Sequence, residues 1–479
     1  MVKIFLPVLL LVHLVILSRL TFTAWPEMLF YPYLFLNGFS FYKDFIMPYP
    51  PALPLFLSGI YSLFGVTPEV LKITAWILIL STDILLFLIL TKVLKSGFLA
   101  LPFLAIYILL QSFFDGNMLW FDFATTAPLL AALFFILKWL ESGKTKELFW
   151  VGFFLALAIL IKQTAGIYLL GFLAVFMWIR GIRGICLPAT LRVARRAGGL
   201  RGRREIPALA GGVLMVGIPL VFYLTVTGGF LHFFNWVLFY PLTEWSRFPG
   251  YVDFLVPKRY ILAAALFLSP IAFILFNFKI LKEKSFLLSL IFLVASLIAV
   301  YPRFSFFHLQ PAVAFTVISF AVLFASLPKK LRIFHLLLIA TTSFFVVKII
   351  LPLNQGEPIR FYGENDKRLA GDISVFAGTD RKIFLLGLDS SLYVFSGTLP
   401  PKNWSDNFGW YLEIPGVQEW VLEGLESGRP DKILWRVPAT GLWFEPGVYQ
   451  PEKIVNYLKT NYDKEKELEP GLSIWTRKD

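Results

Sequence analysis

Long apolar runs broken by short polar clusters recur along the first 350 residues. Each is about as long as the 17–22 residues a helix needs to cross a hydrocarbon core of roughly 30 Å. The pattern predicts spans at 4–22, 70–91, 97–114, 122–140, 147–161, 165–180, 207–226, 260–277, 285–301, 311–327 and 332–351. Lys162-Gln163 interrupts a longer apolar stretch, which is read as two short helices. The stretch 49–66 is also apolar, but Pro48, Pro50, Pro51 and Pro54 crowd its start. Proline removes backbone donors and breaks helices, so this stretch is expected on the surface or as a re-entrant segment.

From Pro352 the pattern changes to that of a soluble domain. Helices are expected near 364–377, 416–427 and 451–461, and strands near 382–387, 431–437 and 471–477. Alternating helix and strand point to a small α/β layer domain. The expected organisation is a transmembrane domain over 1–351 and an extracytoplasmic domain over 352–479.

Composition sharpens this picture. Hydrophobic residues make up 57 % of the 479 and charged residues 16 %, against roughly 45–50 % and about 25 % in soluble domains. No soluble chain hides that much apolar surface. The net charge of +13 could suggest nucleic acid, but the positive residues fall mainly between the apolar runs. Alternate loops carry Lys92 and Lys95, then Lys138, Lys144 and Lys146, then an arginine-rich stretch 180–205, then Lys279, Lys282 and Lys284, then Lys329, Lys330 and Arg332. The opposite loops are longer yet hold chiefly Lys43, Arg247, Lys258, Arg259 and Arg303. The positive-inside rule then puts the N-terminus in the cytoplasm and the C-terminal domain outside, in a plasma membrane. The apolar run after Met1-Val2-Lys3 reads as an uncleaved first span. The loop 180–205 reads first as a topology determinant against anionic lipid, and second as a site for a cytoplasmic partner. With Cys186 as the lone cysteine, neither an intrachain disulfide nor a cysteine-based metal site can form. No Walker A motif, dinucleotide fingerprint, His-Glu-x-x-His or Gly-x-Ser-x-Gly occurs, which argues against ATP hydrolysis and zinc proteolysis.

Candidate chemistry gathers in the outer loops. The first, about 23–69, is too long for a simple connection. Tyr31, Tyr33, Tyr42 and Tyr49 suit a membrane interface, and Asp44 sits among them. Desolvation there would raise its pKa and a nearby cation would lower it, which makes Asp44 a candidate general base. Asp115 and Asp122 follow in Phe-Phe-Asp-Gly-Asn-Met-Leu-Trp-Phe-Asp-Phe, where Asp122 also suits a helix N-terminus. Lys162, Arg303 and His308 lie at outer ends of spans. Ionisable residues in such segments are costly, and together these three could hold a lipid phosphate; alternatively they snorkel to head groups. His13 and His335 are expected to pack within spans, and His232 to sit on an amphipathic surface helix. Glu244, Arg247 and Asp253 either line an acceptor path or belong to a solvated loop. Trp404, Trp410, Tyr411, Trp435 and Trp443 suit core packing first and sugar stacking second.

The first loop reads Asn37-Gly38-Phe39-Ser40-Phe41-Tyr42-Lys43-Asp44-Phe45, followed by a proline-rich stretch and Leu63-Phe64-Gly65. With Ala156–Thr164 and Pro302-Arg303 to His308, this resembles the GT-C glycosyltransferases over about 1–350. The likeness is to the branch holding protein O-mannosyltransferases and lipid A aminoarabinose transferases. It implies a polytopic α-helical membrane protein of about 11 helices that takes a sugar from a polyprenyl-phosphate donor at the outer face. The acceptor would be a hydroxyl on a lipid, glycan or protein. The resemblance makes Asp44 the catalytic base. Many members have two adjacent acids there, whereas Phe45 follows Asp44, so a second acid would come from Asp122 or Asp115. Lys162 and Arg303 would stabilise the leaving phosphate. No metal cage is evident, although Asp44 and Asp122 could share a divalent ion. Membrane lipids are expected partners and nucleic acid is not. Two other readings are a transporter or flippase for an amphiphilic lipid-linked substrate, and a non-catalytic scaffold. The first would predict internal repeats and helices interrupted at mid-bilayer.

Overall fold

The computed structural model describes residues 2–185, 194–253, 261–276, 278–437 and 450–478. Cys186, Lys258, Arg259 and Trp443 lie outside the described residues, as does the middle of the basic loop 180–205. A helix occupies every apolar run: Val2–Arg19, Pro68–Leu94, Gly97–Gln111, Phe121–Ser142, Thr145–Ile161, Gly166–Ile185, Ala194–Thr227, Ile261–Phe276, Lys284–Ile298, Gln310–Ser326 and Lys329–Ile350. Among the described residues, 7 helical segments are long and apolar enough to cross a membrane. The chain is therefore a multi-pass membrane protein. At Lys162 the backbone leaves the helix for an extended conformation, then resumes through a short turn, Gln163–Ala165. The proline-crowded stretch forms a 13-residue helix, Ala52–Phe64, whose Leu63 and Phe64 are exposed.

Two compact units divide the chain. The first comprises Met1–Thr21, Thr74–Leu220 and Phe254–Gly356. Its core is the helix Gln310–Ser326, buried from Gln310 to Phe324. Ser319 and Ser289 bond to each other inside it, and each returns its hydroxyl proton to a carbonyl or neighbouring hydroxyl. These two hydroxyls are thus paired where lipid or core offers no water. Helices Thr145–Ile161 and Ala194–Thr227 cross at glycines. A Cβ at Gly152 would lie 2.1 Å from the Leu209 carbonyl oxygen, and one at Gly212 would lie 2.0 Å from that of Phe149. Small residues permit this backbone approach.

The second unit comprises Phe22–Ile73, Val221–Asp253 and Glu357–Asp479. The boundary expected at 351/352 divides the chain by sequence; by contact, two earlier segments join the C-terminal residues. One link is a parallel pairing of Phe22–Thr23 with Ile359–Arg360. A four-stranded sheet runs in the order Phe384–Leu386, Lys432–Arg436, Leu472–Arg477, Tyr462–Glu469. The first pair is parallel and the rest antiparallel. Helices Glu364–Ala377, Val417–Gly428 and Glu452–Asn461 accompany it. Trp404, Trp410, Tyr411 and Trp435 are buried, as packing residues are.

Candidate active site

In the first unit three ionisable side chains meet. Asp122 lies in the first turn of Phe121–Ser142, at the positive end of the helix dipole. Lys162 Nζ donates to both its oxygens, 2.6 Å to Oδ1 and 2.7 Å to Oδ2. His308, in the turn Phe306–Leu309, brings Nδ1 within 2.8 Å of Oδ2. Asp122 is 3 % exposed. The break at Lys162 explains the geometry: its N–H still closes the preceding helix on Ala158, but its extended backbone releases the side chain from the helical surface. Lysine carries three donors and two are used here. Among the described residues His308 Nε2 bonds no protein group. Lys162 therefore retains one N–H for an anion, and Arg303 adds positive potential at His308.

A buried network supports this cluster. His13 Nδ1 is 2.6 Å from Asp83 Oδ2, and Nε2 is 2.9 Å from Gln111 Oε1. His13, Asp83 and Gln111 are all fully buried. Gln111 Nε2 donates to the Gly116 carbonyl, closing the π turn Ser112–Gly116. Gln310 donates to the carbonyls of Gln111 and Phe114. The turn leading to Asp122 and the residue two beyond His308 are thus tied together. Asp115 sits in that turn with φ +48°, a left-handed conformation that costs a non-glycine residue energy.

In the second unit Asp44 is held from two sides. The Ser40 N–H donates to Oδ2 at 2.8 Å and Lys402 Nζ at 3.0 Å. The Asp44 carbonyl accepts from Trp404 N–H at 3.0 Å. Both side-chain bonds fall on Oδ2, so Oδ1 is left to accept a proton. Lys402 also lies over the Phe39 ring.

Deeper in this unit, Glu27 and Asp406 form an acidic pair. Burial raises Glu27 to about 8, helped by the Asp406 charge. Burial likewise raises Asp406 to about 7, opposed by bonds from Tyr31 and Ser390. The Tyr31 hydroxyl donates to Asp406 Oδ2 at 3.0 Å, while the buried Glu27 Oε2 has no hydrogen-bond partner among the described residues. Asp389, raised by burial, adds a like charge. In the unfolded chain these carboxyls ionise in the ordinary range near about 4. Their folded pKa values are higher, so the native state binds more protons in between. The stabilisation is present in full below the unfolded pKa and is lost as pH rises towards about 8. Tryptophan-fluorescence unfolding of the whole protein should therefore show stability falling from pH 5 to 8. Glu27→Gln should flatten that slope; an unchanged slope would contradict the assignment.

Among the described residues no group of three or more His, Cys, Asp and Glu side chains could hold a metal.

Comparison with known proteins adds a partial family match and a shared fold. The model for dolichyl-phosphate-mannose-protein mannosyltransferase matches residues 49–190. The archaeal oligosaccharyltransferase AglB from Archaeoglobus fulgidus, solved with an inhibitory peptide and a dolichol-phosphate, superposes with a TM-score of 0.55 at 11 % identity. That match covers 100 % of this chain and 74 % of AglB. ArnT from Cupriavidus metallidurans, bound to undecaprenyl phosphate, gives a TM-score of 0.56 at 11 % identity, covering 99 % of this chain and 97 % of that one. The chain shares the fold of these two membrane transferases. No curated protein matches it by sequence. At this identity the two solved structures carry the GT-C fold and no more.

Of the residues singled out in the sequence, the GT-C fold joins Asp122, Lys162 and His308 in one cluster, with Arg303 within electrostatic reach. Asp44 lies in the other unit with Lys402. Sequence reasoning missed Lys402, Asp83 and the Glu27–Asp406 pair. Asp83 had one readable signal, as a lone acid in the middle of the 27-residue apolar helix Pro68–Leu94. His13 is not a simply packed histidine but a partner of that acid. Glu244 and Arg247 line a groove of about 420 Å³ with Phe248, Trp410 and Glu413.

Proposed function

We propose that this protein transfers a sugar from a polyprenyl-phosphate donor to a hydroxyl acceptor at the outer face of the membrane. The observation that carries this reading is the buried Asp122, Lys162 and His308 cluster in a bundle of apolar helices. An amphiphilic phosphate requires such a site: apolar helices for the tail, and a retained N–H donor beside an excess of positive charge for the head. The GT-C fold, shared with proteins solved with dolichol-phosphate and undecaprenyl phosphate, supports it.

In this mechanism the acceptor oxygen attacks the anomeric carbon. The bond from that carbon to the phosphate oxygen breaks, and its electron pair leaves with the polyprenyl phosphate. Asp44 Oδ1 takes the acceptor proton, while Ser40 N–H and Lys402 hold Oδ2. Lys162 receives the charge that grows on the leaving phosphate, with Arg303 reinforcing the field and His308 joining it when protonated. Asp122 keeps Lys162 and His308 in place; with both oxygens bonded it serves as their anchor rather than as a second base. Phosphate is already a good leaving group, so no strong general acid is needed. Arginine- and lysine-rich loops support a cytoplasmic N-terminus and an outer site.

Incubating the purified protein in lipid with a panel of polyprenyl-phosphate sugars and membrane extract should release free polyprenyl phosphate from one donor, read by mass spectrometry. No release from any donor would overturn the proposal. Lys162→Met should slow release by about 10²-fold, the scale of losing one electrostatic donor to a developing oxyanion.

A further inference from the structure

A second cationic site opens at the other end of the same bundle. A bowl of about 530 Å³ is lined by Lys92, Lys95, Lys279, Ser285 and the carboxylates Glu141 and Glu283. All belong to the first unit. It lies where the helices Pro68–Leu94, Phe121–Ser142 and Gln310–Ser326 end and where Lys284–Ile298 begins. Glu141 is 19 residues along its helix from Asp122, or about 28 Å at 1.5 Å per residue. The bowl is therefore remote from the cluster described above, on the face where the basic loops gather.

Its charges are not all spoken for. Lys92 pairs with Glu141. The carbonyl end of Gln310–Ser326 is capped by Arg332, which donates to Leu327 and Ala325 at 3.0 and 2.9 Å. Lys95 and Lys279 make no ion pair among the described residues, so neither is consumed by a carboxylate. Lys95 moreover adopts φ +54° just beyond its helix. Glycine or asparagine is the usual residue for that left-handed position, so lysine is held there at an energetic cost. The helix Lys284–Ile298 presents its positive end here, and no side chain caps its first turn. Ser285 adds a hydroxyl. The volume falls within the roughly 300–1,000 Å³ of ligand pockets. Lysines used only to offset helix dipoles would not need a bowl between them.

We propose that this bowl binds the phosphate of an anionic membrane lipid head group, with Lys95 and Lys279 as its principal cations. Phosphatidylglycerol or cardiolipin carries the required phosphodiester at the depth where helix ends meet the head-group layer. Basic pockets between membrane helices on the cytoplasmic side recognise such head groups. The site is independent of the sugar-transfer reading, since it uses none of those residues.

The test is lipid retention by the full-length protein. Wild type, Lys95→Gln/Lys279→Gln and a charge-matched control, Lys144→Gln/Lys146→Gln, would be placed in phosphatidylcholine nanodiscs doped with phosphatidylglycerol. Bound lipid would then be counted by native mass spectrometry. Retained phosphatidylglycerol should fall about fivefold per lysine removed from the bowl and stay near wild type in the control. Lys95→Arg/Lys279→Arg should keep the lipid, which guards against a folding defect. An equal fall in the control, or no fall in the bowl variant, would overturn the site. Displacement of the lipid by millimolar inorganic phosphate would overturn the lipid assignment in favour of a soluble phosphate compound.

Discussion

Asp44→Asn should lower release of polyprenyl phosphate by about 10²–10⁴-fold, the range of a positioned general base. The amide keeps the shape and can still accept from Ser40 N–H and Lys402, but it cannot take a proton. The loss should therefore fall on kcat, with KM for the donor little changed. Lys402→Met should reproduce part of the defect, because Lys402 fixes the carboxylate from the far end of the sequence, 358 residues away. Equal turnover by wild type and Asp44→Asn, measured by mass spectrometry of the released carrier, would remove Asp44 from the proton-transfer role.

The second large effect is on stability. Asp122→Ala would leave Lys162 charged and unpaired at a site where its side chain is 10 % exposed. Removing one partner of a buried pair costs about 3–5 kcal/mol. The double variant Asp122→Leu/Lys162→Met replaces both charges by apolar groups and should recover much of that loss, while remaining inactive. Thermal unfolding of the single and double variants in one detergent tests this coupling. Additive losses in the double variant would mean that the two side chains do not stabilise each other.

How much of this could be read from the sequence follows from what each interaction depends on. The helices over the apolar runs were legible because each run is local and long. The break at Lys162 was legible because a cation in such a run has a cost that must be met. The strand Tyr462–Glu469 was not, since its sequence, Tyr-Asp-Lys-Glu-Lys-Glu-Leu-Glu, has almost no apolar face. It is an edge strand with exposed charges, a common protection against pairing with another chain. Asp122, Lys162 and His308 were each visible as misplaced polar residues, but their meeting depends on helix packing across 40 and 186 positions. Lys402 carried no signal at all, being an ordinary surface lysine until the fold brings it to Asp44. Likewise Glu27 and Asp406 look solvated in sequence, and only burial in the second unit turns them into proton-holding groups.

The most direct test of sugar transfer follows the bond between the anomeric carbon and the phosphate in a sealed membrane. Proteoliposomes would carry a polyprenyl-phosphate sugar, of the kind released in the donor panel, labelled on the sugar and placed in one leaflet, with acceptor extract outside. The account predicts that label passes to an acceptor hydroxyl in step with the appearance of free polyprenyl phosphate. Movement of the intact donor to the other leaflet, with no bond broken, would contradict it and make the protein a transporter.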